Sequence, residues 1–205
     1  AQVPTGHNLD FSTGGYINWT AKTGTYDGTS SQPIFNWTST WTDPTLASDV
    51  GGRFFIVYNT SQGTDTYSGG QLPKVPEGFT HSSQLNNAEG GADCSQLQYT
   101  MEVNQENCLL TFKYSMVLEA PGHSGYENPT FQIDVMKHSS ENGSMLEELV
   151  DPCAFFEKSS TSSLPQTEPE VWHTSSTNSS WIWSEWQEIK INLARFVGDR
   201  ITIRV

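Results

Sequence analysis

Two long stretches of this chain alternate apolar and polar residues with a period of two, and that period fits a strand and not a helix. Leu97, Tyr99, Met101 and Val103 alternate with Gln96, Gln98, Thr100 and Glu102. Leu110, Phe112, Tyr114, Met116 and Leu118 alternate with Thr111, Lys113, Ser115 and Val117. Successive side chains of a strand point to opposite faces, so each stretch reads as a strand with one face on a core. The polar Asn104-Gln105-Glu106-Asn107 between them predicts an antiparallel hairpin. Shorter repeats of the pattern occur at Phe131, Ile133 and Val135, at Ile189, Ile191 and Leu193, and at Ile201, Ile203 and Val205. Phe54-Phe55-Ile56-Val57 is continuously apolar, as expected of a strand covered on both faces. Only Met145 to Val150 offers a helical turn. The expectation is an all-β fold, an antiparallel two-sheet sandwich.

A length of 205 residues suits one large sandwich, so residues 1–205 read as a single domain. Lys158 to Glu170, with its Ser-Ser-Thr-Ser-Ser run and two prolines, reads as a long surface loop within it. With 10 basic against 23 acidic residues the net charge is −13, which repels nucleic acid and leaves it off the list of expected partners. The same acidity either helps to hold calcium or serves only as a soluble surface. No run reaches the ~18 apolar residues of a spanning helix, so membrane insertion is not expected. Charged residues make up only 16%, while Ser, Thr, Asn, Gly and Gln abound, a composition typical of extracellular β-proteins. The start at Ala1-Gln2-Val3-Pro4 suits an exported chain that has lost its signal peptide, or a trimmed one. Cys94, Cys108 and Cys153 form an odd set, which in an exported protein implies a free thiol or a partner outside the chain. The hairpin register would hold Cys94 and Cys108 apart.

Motifs of catalysis are missing: there is no Gly-x-Ser-x-Gly, no phosphate loop, no Cys-x-x-Cys and no His-Glu-x-x-His. Binding is therefore expected ahead of catalysis. Trp172, Trp181, Trp183 and Trp186 cluster in sequence, with Trp19, Trp37 and Trp41 near the other end. Sugars stack apolar faces on flat rings, while short polar side chains take up their hydroxyls. Trp181 and Trp183 share a face if extended and are the first ligand-binding candidates; the alternative is that they cap the core. The loop Pro121 to Pro129 supplies His123, Tyr126 and Glu127 as the second set, with a plain structural turn as the alternative. Asp10 is the candidate calcium ligand, together with backbone carbonyls, or else a turn cap. The five Asn-x-Ser/Thr sequons, at Asn18, Asn36, Asn59, Asn142 and Asn178, are expected by chance in so Asn- and Thr-rich a chain. A glycan- or protein-binding module leads, a ligand-free spacer follows, and a sandwich glycosidase comes third.

The opening Asn8-Leu9-Asp10-Phe11-Ser12-Thr13-Gly14-Gly15-Tyr16-Ile17-Asn18-Trp19 resembles the start of bacterial jelly-roll modules, the carbohydrate-binding, galactose-binding and MAM-like domains. Ser12 stands where those modules often carry a calcium-ligating Glu. The order of Leu97 to Val103, Leu118 to His123, Glu127 to Val135 and Trp186 to Ile203 resembles the N-terminal sandwich domains of large exported surface proteins of Bacteroidetes-type bacteria. Those proteins often continue into PKD-like repeats or a gliding-motility-type sorting domain. The resemblance implies a jelly roll, a cell-surface location and an adhesive or glycan-binding role. It also implies a further strand with an Asp-Cys beyond Val205, so that the parent is longer and supplies a partner for Cys153 or Cys108.

Overall fold

The computed structural model describes residues 8–27, 34–42, 49–59, 63–89, 91–120, 122, 127–141, 144–149 and 155–205. Strands account for 52% and helix for 5%, so the chain is all-β, with antiparallel sheets. One layer is a seven-stranded sheet. Its strands are β1 (Trp19–Asp27), β2 (Ile34–Thr42), β6 (Asp93–Glu102), β9 (Thr130–Glu141), β10 (Ser144–Leu149), β11 (Phe155–Ser159) and β15 (Arg200–Arg204). They lie in the order β10-β9-β15-β6-β1-β2, and β11 also pairs with β9. Three smaller sheets make up the rest. The first joins β3 (Asp49–Val50), β4 (Phe54–Tyr58) and β5 (His81–Leu85). The second pairs β7 (Leu109–Tyr114) with β14 (Gln187–Asn192), and the third sets β13 (Trp181–Ser184) between β8 (Val117–Glu119) and β12 (Trp172–Thr174).

The core lies between the large sheet and the small ones. Trp19 and Ala21 of β1, Leu97, Tyr99 and Met101 of β6, Val135 of β9 and Ile201 and Ile203 of β15 meet Phe54 and Ile56 of β4, Leu110 of β7 and Ile191 of β14. A second cluster joins Tyr114, Met116, Ile133, Leu164, Trp172 and Ile182. Every alternating series read from the sequence thus supplies buried side chains to one of these clusters. In β4, Phe54, Ile56 and Val57 are buried and Phe55 is half-buried, so both its faces are covered.

The pairing of the two long alternating stretches differs from expectation. β6 pairs with β1 and β15, while β7 pairs with β14, so residues 103–108 carry the chain from one layer to the other and do not close a hairpin. Asn104 Oδ1 accepts the N–H groups of Glu106 and Asn107, and Asn107 Nδ2 donates to the Glu102 carbonyl. The turn is polar and tight, as the sequence suggested, but the strands it joins face each other across the core. Periodicity reports which residues face the core and is silent on which strand lies alongside. Two further expectations change. Ser144–Leu149 is the strand β10, paired with β9, and not a helical turn. The stretch 158–170 is no plain surface loop: it finishes β11 and forms the short helix α1 (Leu164–Thr167), whose Leu164 is buried in the second cluster. Lys158 Nζ reaches Glu168 Oε1 at 2.5 Å across that segment.

The opening motif works as a folding element. Asn8 is buried, its Nδ2 donating to the carbonyls of Gly15 (2.8 Å) and Ile17 (3.2 Å). Its own carbonyl accepts the indole N–H of Trp19 at 2.8 Å. Phe11, at φ 57°, stacks on Trp19 with centroids 5.0 Å apart. One amide therefore closes the loop that delivers Trp19 to the core. Elsewhere, β7–β8 and β13–β14 form one long ribbon whose register slips by a residue between the pairs Trp183–Val117 and Gln187–Tyr114. Ser184, fully buried at this bulge, accepts the Met116 N–H on its Oγ at 3.0 Å.

Asn8→Ala leaves the Gly15 and Ile17 carbonyls unpaired, and Ser184→Ala does the same to the Met116 N–H. Each is expected to cost about 1–3 kcal/mol in urea denaturation, the usual range for an orphaned buried polar group. Ser184→Thr, which keeps the acceptor, should lose less than Ser184→Ala.

Candidate functional site

The outer face of the large sheet carries an aromatic strip that owes its position to a bulge. β1 and β2 pair regularly from Thr20–Thr42 to Thr23–Ser39, and then the register slips so that Gly24 stands opposite Trp37 and Tyr26 opposite Phe35. In an unbroken strand Trp37 and Trp41, four residues apart, would share a face. The extra residue puts them on opposite faces. Trp41 turns in and packs against the core, while Trp37 turns out beside Phe35 and Tyr26. The Phe35 and Trp37 rings are parallel within 5°, with centroids 5.7 Å apart, and Tyr26 lies 5.3 Å from Phe35. Phe35 is 45% exposed and Trp37 37%. Gly24 makes the crossing feasible: a Cβ there would lie 2.3 Å from the Asn36 carbonyl oxygen. The bulged backbone of β2 occupies the space of a side chain.

Next to this strip the outer face is polar. Reading along the registers, Lys22 and Gln96, Thr20 and Gln98, Thr100 and Thr202, and Arg204 and Asp134 lie side by side. Gln98 Nε2 donates to Gln96 Oε1 at 2.8 Å. The hydroxyls of Thr100 and Thr202 are 2.7 Å apart, and His138 Nε2 lies 2.6 Å from Thr202 Oγ1. Arg204 donates to Asp134 Oδ1 at 2.6 Å and to Glu147 Oε2 at 3.2 Å, so its charge is met within the face. Cys94, opposite Gly24, is buried. Burial raises its pKa, as does the neighbouring Asp93 charge, against the opposing pull of Arg53, so the thiol stays protonated at neutral pH. Flat rings beside amides and hydroxyls form a surface suited to stacking on and hydrogen-bonding a ring with many hydroxyls.

The residues picked from the sequence do not form this face. Trp181 and Trp183 do share one face of β13, with Ile182 in the core behind them. Trp183, however, is only 6% exposed and packs on His173 at 4.5 Å, so it offers no free ring face. Trp181 packs on Tyr67 at 4.5 Å, and Trp186 is half-buried and donates its indole N–H to the Pro73 carbonyl at 2.8 Å. These tryptophans hold the loop 63–79 against the small sheets. Asp10 Oδ1 accepts the Ser12 N–H at 3.1 Å, the turn-capping arrangement. Among the described residues no group of three or more His, Cys, Asp or Glu side chains is gathered as a metal site. Glu127 is exposed just before β9, while His123 and Tyr126 lie outside the described residues, as does Cys153. Cys94 and Cys108 are free thiols.

Sequence reasoning named Trp37 but passed over Phe35 and Tyr26. The available signal was the run Ile34 to Thr42, which has three aromatic or large apolar residues in four positions and no charge. Compared with family models, with curated proteins and with solved structures, the chain matches none.

Because the Cβ of any other residue at position 24 would collide with backbone, Gly24→Ala is expected to break the bulge. Its measurable signs would be a lower melting temperature and a change in tryptophan emission as the Trp37 environment alters. A variant indistinguishable from the parent in both would show that the bulge does not need glycine.

Proposed function

We propose that this chain is an extracellular jelly-roll binding module of a cell-surface protein, and that it binds neutral glycan through the strip Tyr26, Phe35 and Trp37 with the polar field beside it. The exposed, parallel Phe35–Trp37 pair carries the reading. Large apolar side chains on an outer face stabilise nothing in the core, and a cluster of them marks an interaction site. Gln96, Gln98 and Thr100 of β6 supply the donors and acceptors that hydroxyls require. The two-layer arrangement, with repeated passage between layers at β6–β7, β8–β9 and β14–β15, favours the jelly roll over an up-and-down order. A net charge of −13 disfavours sulfated or uronate chains, leaving neutral sugars as the ligand class. The function is binding without catalysis, and the location is the cell surface, in keeping with the polar, lightly charged composition and the resemblance of the opening motif.

A glycan-array screen with and without calcium, followed by titration of tryptophan fluorescence, tests this. Saturable binding of neutral glycans is expected. Trp37→Ala should weaken it by about tenfold or more, equivalent to about 1.4 kcal/mol, with an unchanged melt. Trp181→Ala should leave affinity unaltered. Binding that survives Trp37→Ala and is lost in Trp181→Ala would move the site to the β13 face, and a silent array with a cooperatively melting protein would favour a spacer.

A further inference from the structure

We propose that β2 is a pairing edge for a second copy of this chain, the two large sheets joining through their β2 strands into one continuous sheet. The two edges of the large sheet are built differently. At one, β10 carries Glu147 and Glu148 and β11 carries Glu157 and Lys158, charges of the kind that discourage strand addition. At the other, the nine residues of β2, Ile-Phe-Asn-Trp-Thr-Ser-Thr-Trp-Thr, contain no charge and no proline. β2 ends the strand order, so on its outer side its backbone groups face no strand among the described residues. Residues 34–38 are exposed throughout, and Ile34 is 46% exposed. The edge is long, neutral and apolar, and such an edge is a template for another strand.

Charge selects the occupant. Two molecules of net charge −13 repel at most surfaces, and an uncharged strand is where they can meet without opposing like charges. A partner read by its basic charge would find no carboxylate on β2 to recognise. Antiparallel pairing about a two-fold axis perpendicular to the sheet keeps outer face with outer face. Allowing for the bulge at Thr38, the register that preserves this sets Trp37 opposite Thr40 of the second copy and Phe35 opposite Thr42, with Asn36 opposite Trp41 on the inner face. The aromatic strips of the two copies then lie on one side of the seam. This pairing is independent of any ligand.

Sedimentation equilibrium and light scattering of the full chain over a hundredfold concentration range, with hydrogen exchange at both ends of it, provide the test. A monomer–dimer equilibrium is expected, strengthened by added salt as repulsion is screened, with slower exchange in β2 at high concentration. Thr40→Lys/Thr42→Lys, at exposed positions, should shift the population to monomer even though two positive charges reduce the overall repulsion, and should lower the melt of the dilute protein only by the small cost of a like-charge pair with the facing Lys22. A monomer throughout would overturn the proposal. So would a dimer whose β2 amides exchange as fast as in the dilute protein, or one indifferent to the two lysines; in either case the contact lies elsewhere.

Discussion

The inward face of β6 is the surface on which the rest of the structure depends. Its backbone binds β1 on one side and β15 on the other, and its side chains Leu97, Tyr99 and Met101 point into the cluster that joins the layers. Tyr99 meets Trp19 edge-on at 5.0 Å, which ties β6 to the loop closed by Asn8. Val103, fully buried, extends the same face to the crossover, where its carbonyl accepts the Gly198 N–H at 2.8 Å and its own N–H donates to Asp199 at 2.9 Å. Fully burying each such side chain contributes roughly 1.5–3 kcal/mol, so a few residues of one strand set both the layer spacing and the place where the chain changes layer.

This central role explains why so much of the fold could be read in advance and why the pairing could not. The alternation at Leu97 to Val103 and at Leu110 to Leu118 is dictated by a core on one side, and it is present in the sequence because each face has a fixed solvent. Edge partners are chosen by backbone groups that every residue carries alike. Nothing in Asn104-Gln105-Glu106-Asn107 tells a hairpin from a crossover, since the same Asn side-chain bonds close either. Met145 to Val150 reads as a helical turn for a related reason: six residues are too few for a period to separate strand from helix, and pairing of Ser144–Leu149 with β9 decides for the strand. Leu164 illustrates the converse, a single apolar residue in a Ser-rich stretch that docks into the second cluster and orders its surroundings.

The tryptophans divide into two kinds that the sequence does not distinguish. Around β13, density of indole rings reflects a structural task. The loop 63–79 closes on itself, with Ser68 Oγ donating to the Asp65 carbonyl and accepting the N–H groups of Gln71 and Leu72, and it needs a flat apolar bed to lie on. Trp181 meets Tyr67, Trp186 caps Pro73, and Gly69 sits so close to Ser176 that a Cβ would fall 2.2 Å from its Oγ. Rings recruited to hold a loop are unavailable to a ligand. On β2 the opposite holds, because no described segment lies over Phe35 and Trp37, and apart from Tyr26 their neighbours on β1 and β6 are small or polar.

The bulge at Thr38 is therefore where fold and site meet. A regular β2 would keep Trp37 and Trp41 on one face, and burying both rings would be the more stabilising arrangement if stability alone governed the strand. Instead the register slips, Thr38 Oγ1 donates to the Thr23 carbonyl at 3.3 Å, and Gly24 gives up its side chain to let the backbone cross. The slip and the missing side chain weaken the ladder locally, the Thr38 hydroxyl offsets part of that loss, and the slip turns one aromatic ring into the core and the other to the surface. A departure from regular pairing that exposes apolar rings is difficult to account for by packing. The proposed binding role would account for it, and the residues that make it are local to one hairpin, so they can change without disturbing the face of β6 that holds the layers together.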